Sequence, residues 1–234
     1  MTILVVLPGL DGTATMHAEF VGALRSLFDA VSLIAYPQNR VMNYAELEVL
    51  VRAALPASIP FVLLGESFSG PIAISIAAQP PGGLVGLILS TSFARAPVRL
   101  LSAFAPLVRF APVRSIPQAL LWWWLLGRWA TPPLKVALRA ALDSVESSVL
   151  RARAAAAVRV DVTTVLAEIS MPTLLLRATE DRLLSRAASM EILSAVRHAE
   201  IVDIAGPHLL LQANPLVCAQ AVIAFAGKLS FSSH

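Results

Sequence analysis

Along this chain, short runs of consecutive apolar residues alternate with stretches in which apolar positions recur every three or four residues. Six runs read as strands: Ile3–Leu7, Val31–Tyr36, Phe61–Leu64, Leu84–Leu89, Thr173–Arg177 and Glu200–Ile204. They are continuous rather than alternating, as expected of parallel strands covered on both faces. Thr15–Phe28 places Met16, Phe20, Leu24, Leu27 and Phe28 on one helical stripe, and Tyr44–Leu55 does the same with Leu47, Leu50, Val51 and Ala54. Asn43, three residues before Glu46, gives the second helix a capping-box start. Pro71–Gln79, Ser185–Val196 and a C-terminal helix opening at Asn214-Pro215 complete the set. Strand and helix alternate, which predicts a doubly wound α/β sheet.

One stretch interrupts the alternation. From Ser92 to Ile169 no strand pattern occurs, and Pro97, Pro106, Pro112, Pro117, Pro132 and Pro133 divide several helical segments. Asp143, three residues before Glu146, reads as the start of one helix and Asp161 as the cap of the last. The expectation is a core built from 1–92 and 170–234, with a helical lid inserted at 93–169 over one end of the sheet.

Composition narrows the setting. The 234 residues suffice for one sizeable core. Charged residues are only 14% of the chain and the net charge is +3, too sparse for the clustered basic face that nucleic acid requires. A mean hydropathy of +0.73 raises the membrane question. Ser115 to Gly127, with its "ALLWWWLL", falls short of the roughly 20 residues that span a bilayer, so it reads as a buried or interfacial helix. The start "MTILVVLPGL" lacks the basic region of a signal peptide, and a cytoplasmic location is the expectation. Cys218 is the only cysteine, which excludes an intrachain disulfide and reads as a small buried hydrophobe.

The sharpest motif is Gly65-Glu66-Ser67-Phe68-Ser69-Gly70, directly behind an apolar strand and directly ahead of Pro71-Ile72-Ala73-Ile74. A strand ending in Gly-x-Ser-x-small and turning at once into a helix is a nucleophile elbow. The serine sits there at positive φ, and the residues two before and two after it approach too closely for large side chains. Gly65 and Ser69 occupy those positions around Ser67. Were Ser69 the nucleophile, its flanks would be Ser67 and Pro71, and the turn would run into a proline that should already be helical. Glu66, just before the nucleophile, reads either as an electrostatic influence on the site or as a solvated or ion-paired structural carboxylate.

With "LPGLDGT" after the first strand, "RATEDRLL" after the fifth and "GPHLLLQANP" after the sixth, the elbow "GESFSG" resembles the α/β-hydrolase superfamily. The resemblance implies the chain order nucleophile, acid, histidine. It also implies a shortened, six-stranded, mainly parallel sheet in the order 2-1-3-4-5-6, since the family's two usual extra strands before the oxyanion loop are missing. Four histidines compete for the base. His208 follows the last strand in a Gly-Pro loop, on the carboxyl edge where α/β active sites form. His17 opens a helix beside the oxyanion loop, where it would line the pocket as a substrate-binding residue. His198 precedes the last strand at the opposite edge, and His234 ends the chain. Family order points to His208 as base and to Asp181 as the orienting acid, with adjacent Glu180 as the rival. Phe68, after the nucleophile, supplies one oxyanion amide. By resemblance Leu10 supplies the other, with Asp11 as the neighbouring alternative. Asp11-Gly12-Thr13 also reads as a turn capped by the Asp side chain.

All four tryptophans, Trp122, Trp123, Trp124 and Trp129, lie in one short region among leucines, and Arg95, Arg99, Arg109, Arg114 and Arg128 punctuate the same insertion. Three readings follow: lid core, an acyl-binding wall in which Trp123 and Trp124 bind substrate, or weak contact with a membrane or lipid interface. All three disfavour a polar or sugar-like substrate. The leading expectation is a serine carboxylesterase for apolar short- to medium-chain acyl esters, with Ser67, His208 and Asp181 as the triad and no metal or cofactor. The alternatives are an acyltransferase or thioesterase on lipid-like acyl donors, and a non-catalytic binding protein on the same fold.

Overall fold

A computed structural model describes residues 3–24, 28–57, 59–96 and 117–229. Leu27, Pro97, Arg99, Pro106, Arg109, Pro112, Arg114, Ser115 and His234 lie outside the described residues. The strands are β1 (Ile3–Leu7), β2 (Ala30–Leu33), β3 (Phe61–Glu66), β4 (Leu84–Ser90), β5 (Thr173–Ala178) and β6 (Ala199–Ile204). They form one parallel sheet in the order β2-β1-β3-β4-β5-β6. β1 and β3 are buried almost throughout, in keeping with their unbroken apolar runs.

Around the sheet lie α1 (Ala18–Leu24), α2 (Tyr44–Ala54) and α3 (Gly70–Ala78). The capping box expected of α2 is present, with Asn43 Oδ1 accepting from the Glu46 amide and Glu46 Oε2 accepting from the Asn43 amide. Between β4 and β5 the described residues form α4 (Gln118–Leu125), α5 (Pro132–Asp143), α6 (Ser147–Ala157) and a 3₁₀ segment at Thr163–Glu168. Then come α7 (Arg186–Ala195), α8 (Leu210–Ala213) and α9 (Pro215–Ala226). Two apolar layers result. Phe68, Ile72 and Ile76 pack against one sheet face, and Phe20, Leu24, Val222 and Phe225 pack against the other. No described helix is long and apolar enough to cross a membrane.

Several boundaries differ from the pattern reading, each for a physical reason. β2 ends at Leu33 rather than Tyr36 because the chain then turns to the loop after β1, with the Tyr36 amide donating to Gly12 O. α1 begins at Ala18 rather than Thr15, because Asp11 Oδ2 accepts from the Thr13 amide and hydroxyl and holds the preceding residues in a turn, with Ala14 at φ +60°. Asp143 closes α5 instead of opening α6, and the first residue before α6 is Glu146, whose side chain does not cap. Asp161 Oδ1 does accept from the Thr163 amide at the start of the 3₁₀ segment. Asn214 precedes α9 without capping it and donates instead to Ala205 O.

Candidate active site

The carboxyl ends of β3, β5 and β6 and the loop after β1 converge on one edge of the sheet. β3 runs into a 3₁₀ turn at Ser67–Ser69 and then α3, and Ser67 sits at φ +47°. A Cβ on Gly65 would lie 2.7 Å from Ala73 Cβ, and one on Gly70 would lie 1.5 Å from Ser92 Oγ, so the turn closes only with glycine at both places. Ser92 earns that proximity by donating to Ser67 O at 2.9 Å. Ser69 faces the interior: its hydroxyl donates to Pro8 O and accepts from Tyr36 OH at 2.6 Å. The rival serine is thus a buried tie between the elbow and the loop after β1. Ser67 remains partly accessible.

Ser67 Oγ lies 2.8 Å from His208 Nε2, and His208 Nδ1 lies 2.9 Å from Asp181 Oδ2. The carboxylate accepts a hydrogen bond from Nδ1–H, which leaves the Nε2 lone pair to accept from the serine hydroxyl. Asp181 Oδ1 accepts from the amides of Leu183 and Leu184 at 2.7 and 2.9 Å. Burial alone would raise the Asp181 pKa, but His208 and those amides hold it below its ordinary value, so it stays a carboxylate. Glu180 turns the other way, accepting from Arg128 at 2.8 and 2.6 Å and from Trp129 Nε1 at 3.2 Å. Exposed His198 does not join the constellation.

Behind the elbow is a second polar group. Glu66 and His17 are each only 2% exposed. His17 Nε2 donates to Glu66 Oε2 at 2.8 Å, and Gln212 Nε2 donates to Glu66 Oε1 at 2.9 Å. Burial opposes both charges, yet the two partners prevail: the His17 pKa is raised and the Glu66 pKa is lowered. His17 therefore does not line a pocket. Nothing local in the sequence announced a carboxylate 49 residues away.

The loop after β1 makes a turn in which the Gly12 amide donates to Gly9 O at 3.0 Å. Among the described residues the Leu10 and Asp11 amides donate to nothing. Arg153, on α6, reaches this loop and is 2% exposed. Its guanidinium donates to Leu10 O at 3.1 Å, Asp11 O at 2.6 Å and Pro37 O at 2.9 Å. The sequence reading missed it. A signal existed: Val149, Leu150 and Arg153 share one helical stripe, so the arginine stands where an apolar residue belongs.

The tryptophans do not form the core of the insertion. No residue of α4 is buried; Trp123 is 53% and Trp124 38% exposed, and the insertion's own small core is Val145, Val149 and Leu150. Trp123 lies under Arg182, its ring 4.7 Å from the guanidinium carbon, and Trp122 lies under Lys135. The Leu209 amide donates to Leu125 O and Arg182 donates to Trp123 O, so α4 rests on the loops that flank His208 and Asp181. Trp129 instead lines an open groove of about 620 Å³, together with Met16, Leu134, Ala137, Leu211 and Gln212.

Comparison with known proteins agrees with the fold. The family described as serine aminopeptidase, S33, matches residues 39–206. An enol-lactonase from Burkholderia xenovorans is similar in fold, with a TM-score of 0.79 at 18% identity over 97% of this chain and 92% of that one. An esterase from Exiguobacterium antarcticum superposes with a TM-score of 0.81 at 13% identity, covering 97% and 92%. MenH from S. aureus does so with 0.80 at 15%, covering 97% and 94%. No curated protein matches.

Proposed function

Because the chain belongs to the serine aminopeptidase, S33, family of α/β hydrolases, we propose that it is a serine carboxylesterase acting on apolar short- to medium-chain acyl esters. The observation that carries this reading is the unbroken hydrogen-bond chain from Ser67 through His208 to Asp181, with Ser67 raised on a strained turn. In the proposed reaction Ser67 Oγ attacks the acyl carbonyl as His208 Nε2 takes its proton. The carbonyl oxygen becomes an oxyanion held by the Leu10 and Phe68 amides. His208 then gives the proton to the departing alkoxide, leaving an acyl-enzyme and a free alcohol. Water repeats the sequence and releases the acid. Asp181 holds the imidazole and stabilises its protonated form.

The groove beside Trp129 is the proposed acyl site. Its lining is mainly apolar, with Glu19 and Arg128 among it, which supports an alkyl chain, and about 620 Å³ lies within the usual span of small-ligand pockets. The exposed Trp123 and Trp124, beside Arg182, form the outer rim of a lid and support weak contact with a lipid surface. We place the protein in the cytoplasm, where a single free, buried Cys218 is compatible with a reducing compartment.

The test is a series of p-nitrophenyl esters of increasing chain length, run with fluorophosphonate labelling and peptide mapping. Label on Ser67 and a kcat/KM maximum at short or medium chains are expected. Label elsewhere, or no turnover of any ester, would overturn the reading. Net transfer of the acyl group to an added alcohol or thiol in preference to water would make the protein an acyltransferase.

A further inference from the structure

Among the described residues Arg153 is a buried cation that forms no salt bridge, the Asp11 carboxylate acting on it only through space. It spends its hydrogen bonds on three backbone carbonyls and lies 5.5 Å over the Tyr36 ring. A guanidinium stays charged in proteins, so this arrangement persists over the working pH range. Two of those carbonyls, Leu10 and Asp11, belong to the turn closed by the Gly12 amide and Gly9 O. The fit is close: a Cβ on Gly12, which sits at φ +69°, would come within 2.5 Å of Arg153 Nη1.

In a four-residue turn, the central peptide can rotate between two orientations without breaking the closing hydrogen bond. Here that peptide joins Leu10 to Asp11. A trans peptide points its C=O and N–H in opposite directions. With Leu10 O drawn toward Arg153, the Asp11 N–H is turned away from the guanidinium. The Gly9 carbonyl, occupied by Gly12, likewise turns the Leu10 N–H outward. The other orientation requires positive φ at Asp11, and Asp11 does not have it. The loop is also tied to the elbow through Ser69 and Pro8 O.

We propose that Arg153 is a positioning residue for ester hydrolysis: by holding the Leu10 and Asp11 carbonyls toward the insertion, it keeps the oxyanion loop in the orientation whose amides meet the developing oxyanion. The inference rests on the proposed esterase reading and adds a link between insertion and chemistry. α6 carries the arginine, so any displacement of the insertion that withdraws it frees the central peptide to rotate, which turns the Leu10 carbonyl oxygen toward the face on which the Leu10 amide holds the oxyanion.

The experiment compares the full-length wild type with Arg153→Met and Arg153→Lys on p-nitrophenyl butyrate, with circular dichroism melts as the check on folding. A carbonyl oxygen turned toward the oxyanion opposes its donors, and loss of even one such donor lowers kcat by about 10²–10³-fold. Arg153→Met is therefore expected to lose about a hundredfold in kcat with KM within about threefold. Affinity for a trifluoromethyl ketone, whose hemiketal oxygen mimics the oxyanion, should fall by a comparable factor. Arg153→Lys keeps the cation but not the fork that spans three carbonyls, and is expected to lose at least about tenfold in kcat. Should the Met variant not fold, the Lys variant gives the decision. A folded variant with wild-type kcat, or one altered only in KM, overturns the proposal. Failure of the wild type itself to turn over esters or to label at Ser67 would refute the esterase reading instead.

Discussion

Replacing Glu66 by glutamine tests the pair behind the elbow with almost no change of shape. The carboxylate serves two donors with two oxygens, His17 Nε2 at Oε2 and Gln212 Nε2 at Oε1. A glutamine has one carbonyl oxygen, so one of the two donors, buried His17 or half-buried Gln212, loses its acceptor. A buried donor left unpaired costs about 1–3 kcal/mol. His17 also loses its countercharge, and breaking a buried ion pair raises the total toward about 2–4 kcal/mol. For a chain of this size that lowers Tm by about 5–15 °C.

The pH dependence sharpens the test. In the wild type the His17 pKa is raised above its ordinary 6.5, so its contribution is complete below about 6.5 and is lost as pH rises through the raised value. The Glu66 pKa is lowered from its ordinary 4.5, so its contribution is present above about 4.5 and is lost as pH falls through the lowered value. In Glu66→Gln, burial, the largest influence on His17, favours the neutral ring and is opposed only by Asp11 and the Ala14 carbonyl. The variant therefore loses stability as pH falls below about 6.5, by up to about 1.4 kcal/mol per pH unit. Urea denaturation of both proteins at pH 5, 6.5 and 8 should show a gap that widens toward acid. A gap that is constant, narrows toward acid, or stays below about 1 kcal/mol at pH 6.5 would refute the assignment of a buried charged pair.

Ser67→Ala should abolish fluorophosphonate labelling and nearly all hydrolysis with its melting temperature preserved, whereas Ser69→Ala should label normally but lose about 1–3 kcal/mol, because Tyr36 OH and Pro8 O are left without the hydroxyl between them. Asp181→Asn should lower kcat by about 10⁴-fold, since an amide that donates to Nδ1 imposes the wrong imidazole tautomer; a loss below about tenfold would remove Asp181 from the orienting role. Across the ester series, Trp129→Ala should move the kcat/KM maximum toward longer chains, while Trp123→Ala should leave it in place, because Trp129 lines the groove and Trp123 faces solvent. The opposite pattern would return the acyl wall to Trp123 and Trp124.

The sheet and the elbow were legible because their causes are local. Short apolar runs separated by helical stripes point to a parallel, doubly wound sheet, and the strand order that the resemblance implied appeared as expected. Glycine at 65 and a small residue at 69 mark a turn whose steric demands come from neighbours within a few residues. The Asn43–Glu46 box is decided within four residues. What only the tertiary structure decided involves partners that approach from distant parts of the chain. The place of His17 just before α1 could not name Glu66 as its partner, nor could Gln212 be joined to a carboxylate 146 residues earlier. Arg153 meets the loop after β1 across 143 residues, a contact that only the tertiary placement of α6 creates. The tryptophans illustrate the limit from the other side. Their size predicted burial, yet α4 lies on the loops around the proposed site with no buried residue, because packing depends on which surface a helix meets, and periodicity along the helix does not contain that surface.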